Sequence, residues 1–269
     1  MLCIRPDLRV LSAVTGRHRA TSTLLLPSWV PDWSQATRGG ILNRHYRFEP
    51  TCLFRAGGLG KPRVTVTKSS DTICLEGMRL DTVKNVIPIK SILTMNDEGS
   101  FSVTETILQD MAVKVTSLET YPFTGEPFWI AFFRTLTADR TALSPRIKEE
   151  YRAKYLAAFS DWKLNYEELD QNLPARAWAE VSKSIGAIIG DKDMFLTIGG
   201  YLGLGHEGFQ IGDIVCIFIG GEVPFLLRQA KTPHDGMFQL LSECYIHGVM
   251  DGQAMNNQES DHLERFLIE

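Results

Sequence analysis

Two short clusters near the C-terminal end carry residue types suited to acid–base chemistry. His206 stands beside Glu207, and His247 follows Glu243 by four residues with Tyr245 between them. An imidazole and a carboxylate within hydrogen-bond reach are the usual means of moving a proton at neutral pH. If 241–246 is a strand, its side chains alternate. Glu243 and Tyr245 then share one face, Cys244 and Ile246 share the other, and His247 can join the first. Two readings stay open at this point. The polar groups form an acid–base pair at a pocket mouth, or they satisfy backbone at the end of a buried strand. A metal would need two or three converging His, Asp or Glu ligands. The spacing offers no such set, so we expect no metal. Arg228 ends the run PFLLR and can hold an anion or carbonyl, or pair with Asp213; the ion pair is the expectation. No G-x-S-x-G occurs, and Cys244 has no neighbours that would make it a nucleophile.

A second candidate group is aromatic. Two prolines and two tryptophans fall within LPSWVPDWS at 26–34. Proline fixes φ and biases the residue before it toward extended backbone, so this stretch is stiff. Trp29 and Trp33 then plug an edge of the core or wall a pocket. Tyr201, Arg228 and Tyr245 complete the expected substrate-binding set, with His206, Glu207, Glu243 and His247 as the expected catalytic one.

Gly203, Gly205 and Gly208 spell G-x-G-x-x-G, the glycine pattern of dinucleotide sites. That pattern works only between a strand and a helix whose N-terminus meets the pyrophosphate. Here it leads into IVCIFI at 214–219, a β-branched run, and the acidic residue expected about 20 positions on is missing. We read the glycines as turns and expect no cofactor. Gly60-Lys61 fails as a phosphate loop because Arg55 and Pro62 occupy the positions that need glycine and serine or threonine.

The elements that must position these residues follow from pattern. The chain has 269 residues, enough for a substantial core, and a net charge of −4 that favours no nucleic-acid footprint. Its five cysteines form no C-x-x-C, and no apolar run reaches the length of a membrane span. The start lacks the apolar stretch of a signal peptide, so the expectation is an intracellular, cytoplasmic protein. Residues 8–15 read as a strand. RVTVT at 63–67 and the return at 72–80 read as a hairpin, followed by a strand over 81–89. Ser102-x-x-Glu105 is a capping box and opens a helical period through Leu118. Further helices are expected from Pro127, from Ser144-Pro145 and from Pro174 to Gly190. Strands return at 194–198, 213–219, 222–229 and 237–243, with Gly220-Gly221 as a two-residue turn. The tail over 251–269 is polar, with a short helix after Asp261.

The expected class is α+β: an antiparallel sheet or barrel built from N- and C-terminal strands, with a helical insertion at about 102–190. The parts are 1–100, 101–191, 192–250 and the tail 251–269, making one compact unit.

Several stretches resemble the fungal heterokaryon-incompatibility (HET) family: DLRVLSA at 7–13 with LPSWVPDWS at 26–34, GGYLGLG at 199–205, GDIVCIFIGGEVPFLLR at 212–228 and ECYIHGVMDGQA at 243–254. LEGMRLDTV at 75–83 fits the same pattern. The resemblance is to the region that follows the HET domain. It implies that the family's death-triggering N-terminal domain, which resembles a Toll-type signalling module, has no counterpart before residue 7. It implies no catalytic motif. Two functions fit. One is a cofactor-independent cyclase or isomerase, of Diels–Alder type, shaping an apolar small molecule in fungal secondary metabolism. The other is a ligand- or protein-binding module in allorecognition. The expected partner is an apolar small molecule, with no nucleic acid and no membrane span.

Overall fold

The computed structural model describes residues 8–14, 24–34, 53–67, 71–89, 93–95, 101–103, 120–140, 146, 185, 188–230, 236–256 and 262–269. The chain forms two compact units, Met1–Ile87 with Asp193–Glu269, and Pro88–Lys192.

The first unit is built on two long strands, β2 (Ile73–Ile87) and β9 (Met237–Ile246). With β1 (Val64–Val66), β5 (Lys192–Thr197), β6 (Leu202–His206), β7 (Ile214–Phe218), β8 (Phe225–Gln229) and β10 (Glu264–Ile268), they make an eight-stranded sheet. The strands β2-β5-β6-β9-β8-β7 follow one another as hydrogen-bonded neighbours, and β7 pairs back onto β2, so the sheet closes on itself. At the other end of the long strands β10 bridges them, antiparallel to β2 and parallel to β9. Closure leaves few open edges, which is the main structural advantage of a barrel.

Both faces of this sheet are apolar. One packs Met78, Val215, Ile217, Leu226, Cys244 and Ile246 together with Phe195 of β5. The other carries a run of phenylalanines, Phe218 against Phe225 and Phe266, and Phe266 against Phe238, with centroids 5.4–5.7 Å apart. Continuous apolar runs such as IVCIF in β7 are what a strand buried on both faces requires.

Several expectations are corrected here. Residues 9–13 form a 3-10 helix, not a strand. Leu8, Leu11 and Val14 recur every three residues and all are buried, the period of that tighter helix. The two strands expected at 72–80 and 81–89 are one strand. Asp81 sits at a bulge, where its carboxylate accepts the amides of Thr82 (2.7 Å) and Gly199 (2.8 Å), so it turns nothing. The supposed turns at 199–208 contain β6. Its glycines mark close approach: a Cβ on Gly203 would overlap the Phe195 ring, and one on Gly205 would come within 2.8 Å of Leu226. The two-residue turn at Gly220-Gly221 is a longer connection over 219–224, because 55–57 docks on it. Ala56 donates to Glu222 O (3.1 Å), Gly57 to Gly221 O (2.8 Å) and Gly220 to Gly57 O (2.9 Å). The tail ends in β10, whose Phe266 and Ile268 are buried between exposed neighbours, a strand period.

In the second unit Ser102 lies in a strand, β4 (Phe101–Val103), paired with β3 (Leu93–Met95), so it caps no helix. Helix α1 (Phe128–Leu136) starts after Pro127 as expected. Beyond it Asp139 is held by Arg134 (2.8 Å) and Arg146 (3.0 Å), and Arg134 also grips Glu126 (3.0 Å). Ile185, Ile188 and Ile189 are helical and buried. The other helices expected at 104–119, 144–162 and 174–184 lie outside the described residues. Among the described residues helices are few, so what these show is a mostly antiparallel β-barrel and not an α+β balance.

Candidate functional site

The pairing of β6 with β9 assembles the polar cluster. Gly203 faces Ile246, Leu204 faces Tyr245 and Gly205 faces Cys244. Extending that register by one residue sets His206 across from Glu243. Cys244 and Ile246 point into the Phe195 cluster, so Glu243 and Tyr245 take the opposite face. There Phe54 meets Tyr245 edge-on, with centroids 5.9 Å apart. The main chain of His247 continues the ladder, donating to Leu202 O (3.0 Å), and its Nδ1 lies 2.9 Å from Tyr245 Oη.

These side chains are sealed. Glu243 is 0% exposed, and His206, Tyr245 and His247 are 2% exposed each. The covering segment is pinned on both sides, by Arg55 N to Met250 O (2.8 Å) and by the bonds from Ala56 and Gly57 to the β7–β8 connection. Glu207 is half-buried on the turn after β6. Removing the phenol in Tyr245→Phe is expected to cost about 1 kcal/mol, since it deletes one buried hydrogen bond without adding volume. Urea unfolding of the two proteins measures it.

Arg228 makes the ion pair preferred from sequence. Its Nε donates to Asp213 Oδ1 (2.8 Å) and its terminal nitrogen to Oδ2 (2.7 Å) and to Gly208 O (3.0 Å). The hydrogen bond with Asp213 raises the guanidinium pKa further above its ordinary value. This fork holds the turn before β7 onto β8 and leaves the guanidinium's main donors engaged.

Tyr201 is half-buried at the β5–β6 turn, where its main chain is bound to Thr197; burial and then the charge of Asp81 raise its phenol pKa. Trp29 donates its indole N–H to Asp71 O (3.2 Å) beside the β1–β2 turn, and Trp33 is 68% exposed. Ser28, next to Trp29, is bonded to Glu269 O (2.6 Å) and to Leu240 N (2.9 Å). Leu240 and His247 are seven positions apart in and just after β9, about 23 Å at strand rise. The structure therefore brings His206, Glu243, Tyr245 and His247 together and sets the tryptophan segment at the other end of the strand.

Cys216 and Cys244 are fully buried, and burial pushes both thiols well above their ordinary pKa. Neither is expected to react with iodoacetamide at about pH 8 while the fold is intact, and both are expected to react in urea. Peptide mass mapping of the labelled sites reads this. Among the described residues no group of His, Cys, Asp and Glu is placed to hold a metal ion.

Residues 163–268 match the Het-6 beta-barrel domain. The matched stretch holds strands β5 to β10 and every sequence-chosen residue except Trp29 and Trp33. The chain is also 24% identical over 274 residues to heterokaryon incompatibility protein 6, OR allele, of Neurospora crassa. That alignment covers 88% of the chain and 39% of the relative, so the chain spans about two fifths of the protein it matches. The resemblance to heterokaryon-incompatibility proteins read from the sequence stands. No solved structure matches. Among the described residues no helix is long and apolar enough to cross a membrane.

The residue that sequence reasoning missed is Phe54. It lies before Gly57-Gly58, yet it is fully buried and its ring packs edge-on against Tyr245. The signal available was Phe54-x-Ala56-Gly57, small residues beside an aromatic, which permits the close backbone docking seen here.

Proposed function

We propose that this chain is a non-catalytic recognition module in fungal allorecognition, binding a protein or ligand that distinguishes one strain from another. The observation that carries this reading is the burial of the candidate acid–base groups. A general acid or base must come within hydrogen-bond reach of a substrate. His206, Glu243 and His247 are instead 0–2% exposed, on the face of β6 and β9 where Phe54 packs on Tyr245. Arg228 is committed to Asp213. The name of the Neurospora crassa relative assigns heterokaryon incompatibility to that protein, and the part of it that aligns with this chain is 39% of its length.

The cyclase reading needs Trp29, Trp33 and the 199–208 stretch to border one apolar cavity. Nothing supports that arrangement: Trp33 is exposed and its segment is bound near Leu240. We also infer that the stretch between the two β-parts is a mainly helical insertion, supported by α1 and by the helical residues at 185 and 188–189. The test is deletion of the gene, with strain pairing and metabolite profiling run together. Altered heterokaryon formation with an unchanged metabolite set is expected. An altered metabolite set with unchanged pairing overturns the reading.

A further inference from the structure

The barrel is closed nearly all round, and its open edge lies at β1. That strand pairs with β2 on one side only, and among the described residues no strand takes its other side. Arg63 O accepts from Glu76 N (3.2 Å) and Thr67 N donates to Thr72 O (3.0 Å), so the hydrogen-bonded positions of β1 are 63, 65 and 67. The main-chain groups of Val64 and Val66 therefore point outward, away from β2.

The side chains at this edge are apolar. Val64 stands in line with Leu75 and Phe266, and Val66 with Ile73 and Ile268. Those four partners are buried, at 0–3% exposure. Val64 and Val66 are 44% and 56% exposed. The apolar face of the barrel thus runs past its own closure and ends in two uncovered valines. Edge strands are commonly blunted by charge or proline, and Pro62 does precede this one. Yet Pro62 sits before the outward groups and leaves both of them in place.

Charge selects the partner. Arg63 pairs with Glu76 of β2 at 3.0 Å, Arg265 reaches the same carboxylate from β10 on the far side of β2 at 3.4 Å, and Lys61, two residues before Arg63, is exposed. At the start of this edge Lys61 and Arg63 set two cations against one carboxylate, Glu76, and Asp71 is exposed at the far end of the hairpin. A second copy of β1 would bring the same cations to the same edge, which disfavours self-pairing. We propose that the open edge of β1 accepts an extended, acidic segment of a partner protein as an added strand, with main-chain bonds to Val64 and Val66 and carboxylates toward Lys61 and Arg63. This proposal rests on the recognition reading and names the site and the chemistry of its partner.

The probes are an eight-residue peptide alternating valine and glutamate and its valine–lysine counterpart, titrated against the full chain with amide signals followed by NMR. The acidic peptide is expected to shift the Val64 and Val66 amides and to bind at least about tenfold more tightly than the basic one. Val66→Pro removes one outward N–H without touching the β1–β2 bonds, and it should abolish those shifts. Lys61→Gln with Arg63→Gln should erase the preference between peptides, and this arm decides the matter if the proline variant does not fold. Equal binding of both peptides, no binding, unchanged binding in the variants, or capture by anionic lipid vesicles in place of the acidic peptide each overturns the proposal. Strain pairing separates it from the broader reading. If gene deletion alters pairing but the edge variants do not, the edge is wrong and recognition stands; if deletion has no effect, recognition itself fails.

Discussion

Phe266→Ala is expected to lower the unfolding free energy by about 3–5 kcal/mol. Phe266 is fully buried on the last strand, and its ring lies 5.7 Å from both Phe218 and Phe238. Those neighbours come from β7 and β9, so one side chain from the end of the chain ties together strands that are themselves anchored elsewhere. The cavity left by truncation cannot collapse easily, because β7 is paired to both β2 and β8 and β9 to β8 and β6. Poor collapse puts the loss at the upper part of the range for large-to-small core changes. Urea denaturation should show a lower midpoint with an unchanged slope. Leu267→Ala is the control. Leu267 lies on the same strand but is 37% exposed, and a loss as large as that of Phe266 would mean that β10 is held by its backbone and not by this ring.

Asp213→Ala is expected to cost about 2–4 kcal/mol, since it strips partners from groups that are mostly out of water. Asp213 is 2% exposed and accepts from Arg228 twice and from the Gln210 amide (2.6 Å). Its own main chain accepts from Val83 N (2.8 Å), so one residue links the β6–β7 turn, β2 and β8. Arg228 keeps a quarter of its side-chain surface exposed and can recover some hydration, which places the cost below that of a fully buried pair. Asp213→Asn keeps an acceptor and loses the charge, and about half the penalty is expected. A double-mutant cycle with Arg228→Ala should return a coupling of about 1–3 kcal/mol. Additive single effects would show that the fork contributes nothing of its own.

The strands of the C-terminal half were legible in the sequence because each is a short β-branched or aromatic run between turn residues. IVCIF and FLLR need no context to read as strands. The ion pair of Arg228 with Asp213 was legible for the same reason, since both residues flank strands that read clearly. What the sequence hid depends on contacts made at a distance. Gly203 and Gly205 look like turn residues until Phe195 and Leu226 are known to occupy the space beside them. The 3-10 helix at the start looks like a strand because a period of three over so few residues is easily taken for alternation. β10 was hidden by Asp261-x-x-Glu264, a helix-start pattern whose last residue is the first of the strand. The face shared by Glu243 and Tyr245 followed from alternation alone. Their burial did not, because it comes from contacts with distant parts of the chain, such as Phe54 against Tyr245.

We propose that this chain serves recognition and not catalysis. Reciprocal allele replacement tests it most directly: the gene of one strain is exchanged for the version carried by a strain with which it is incompatible, and growth of forced heterokaryons is scored. The exchange alone is expected to change which strains grow together, with small-molecule output unaltered. Compatibility that ignores the exchange, together with a changed set of small molecules, would contradict it.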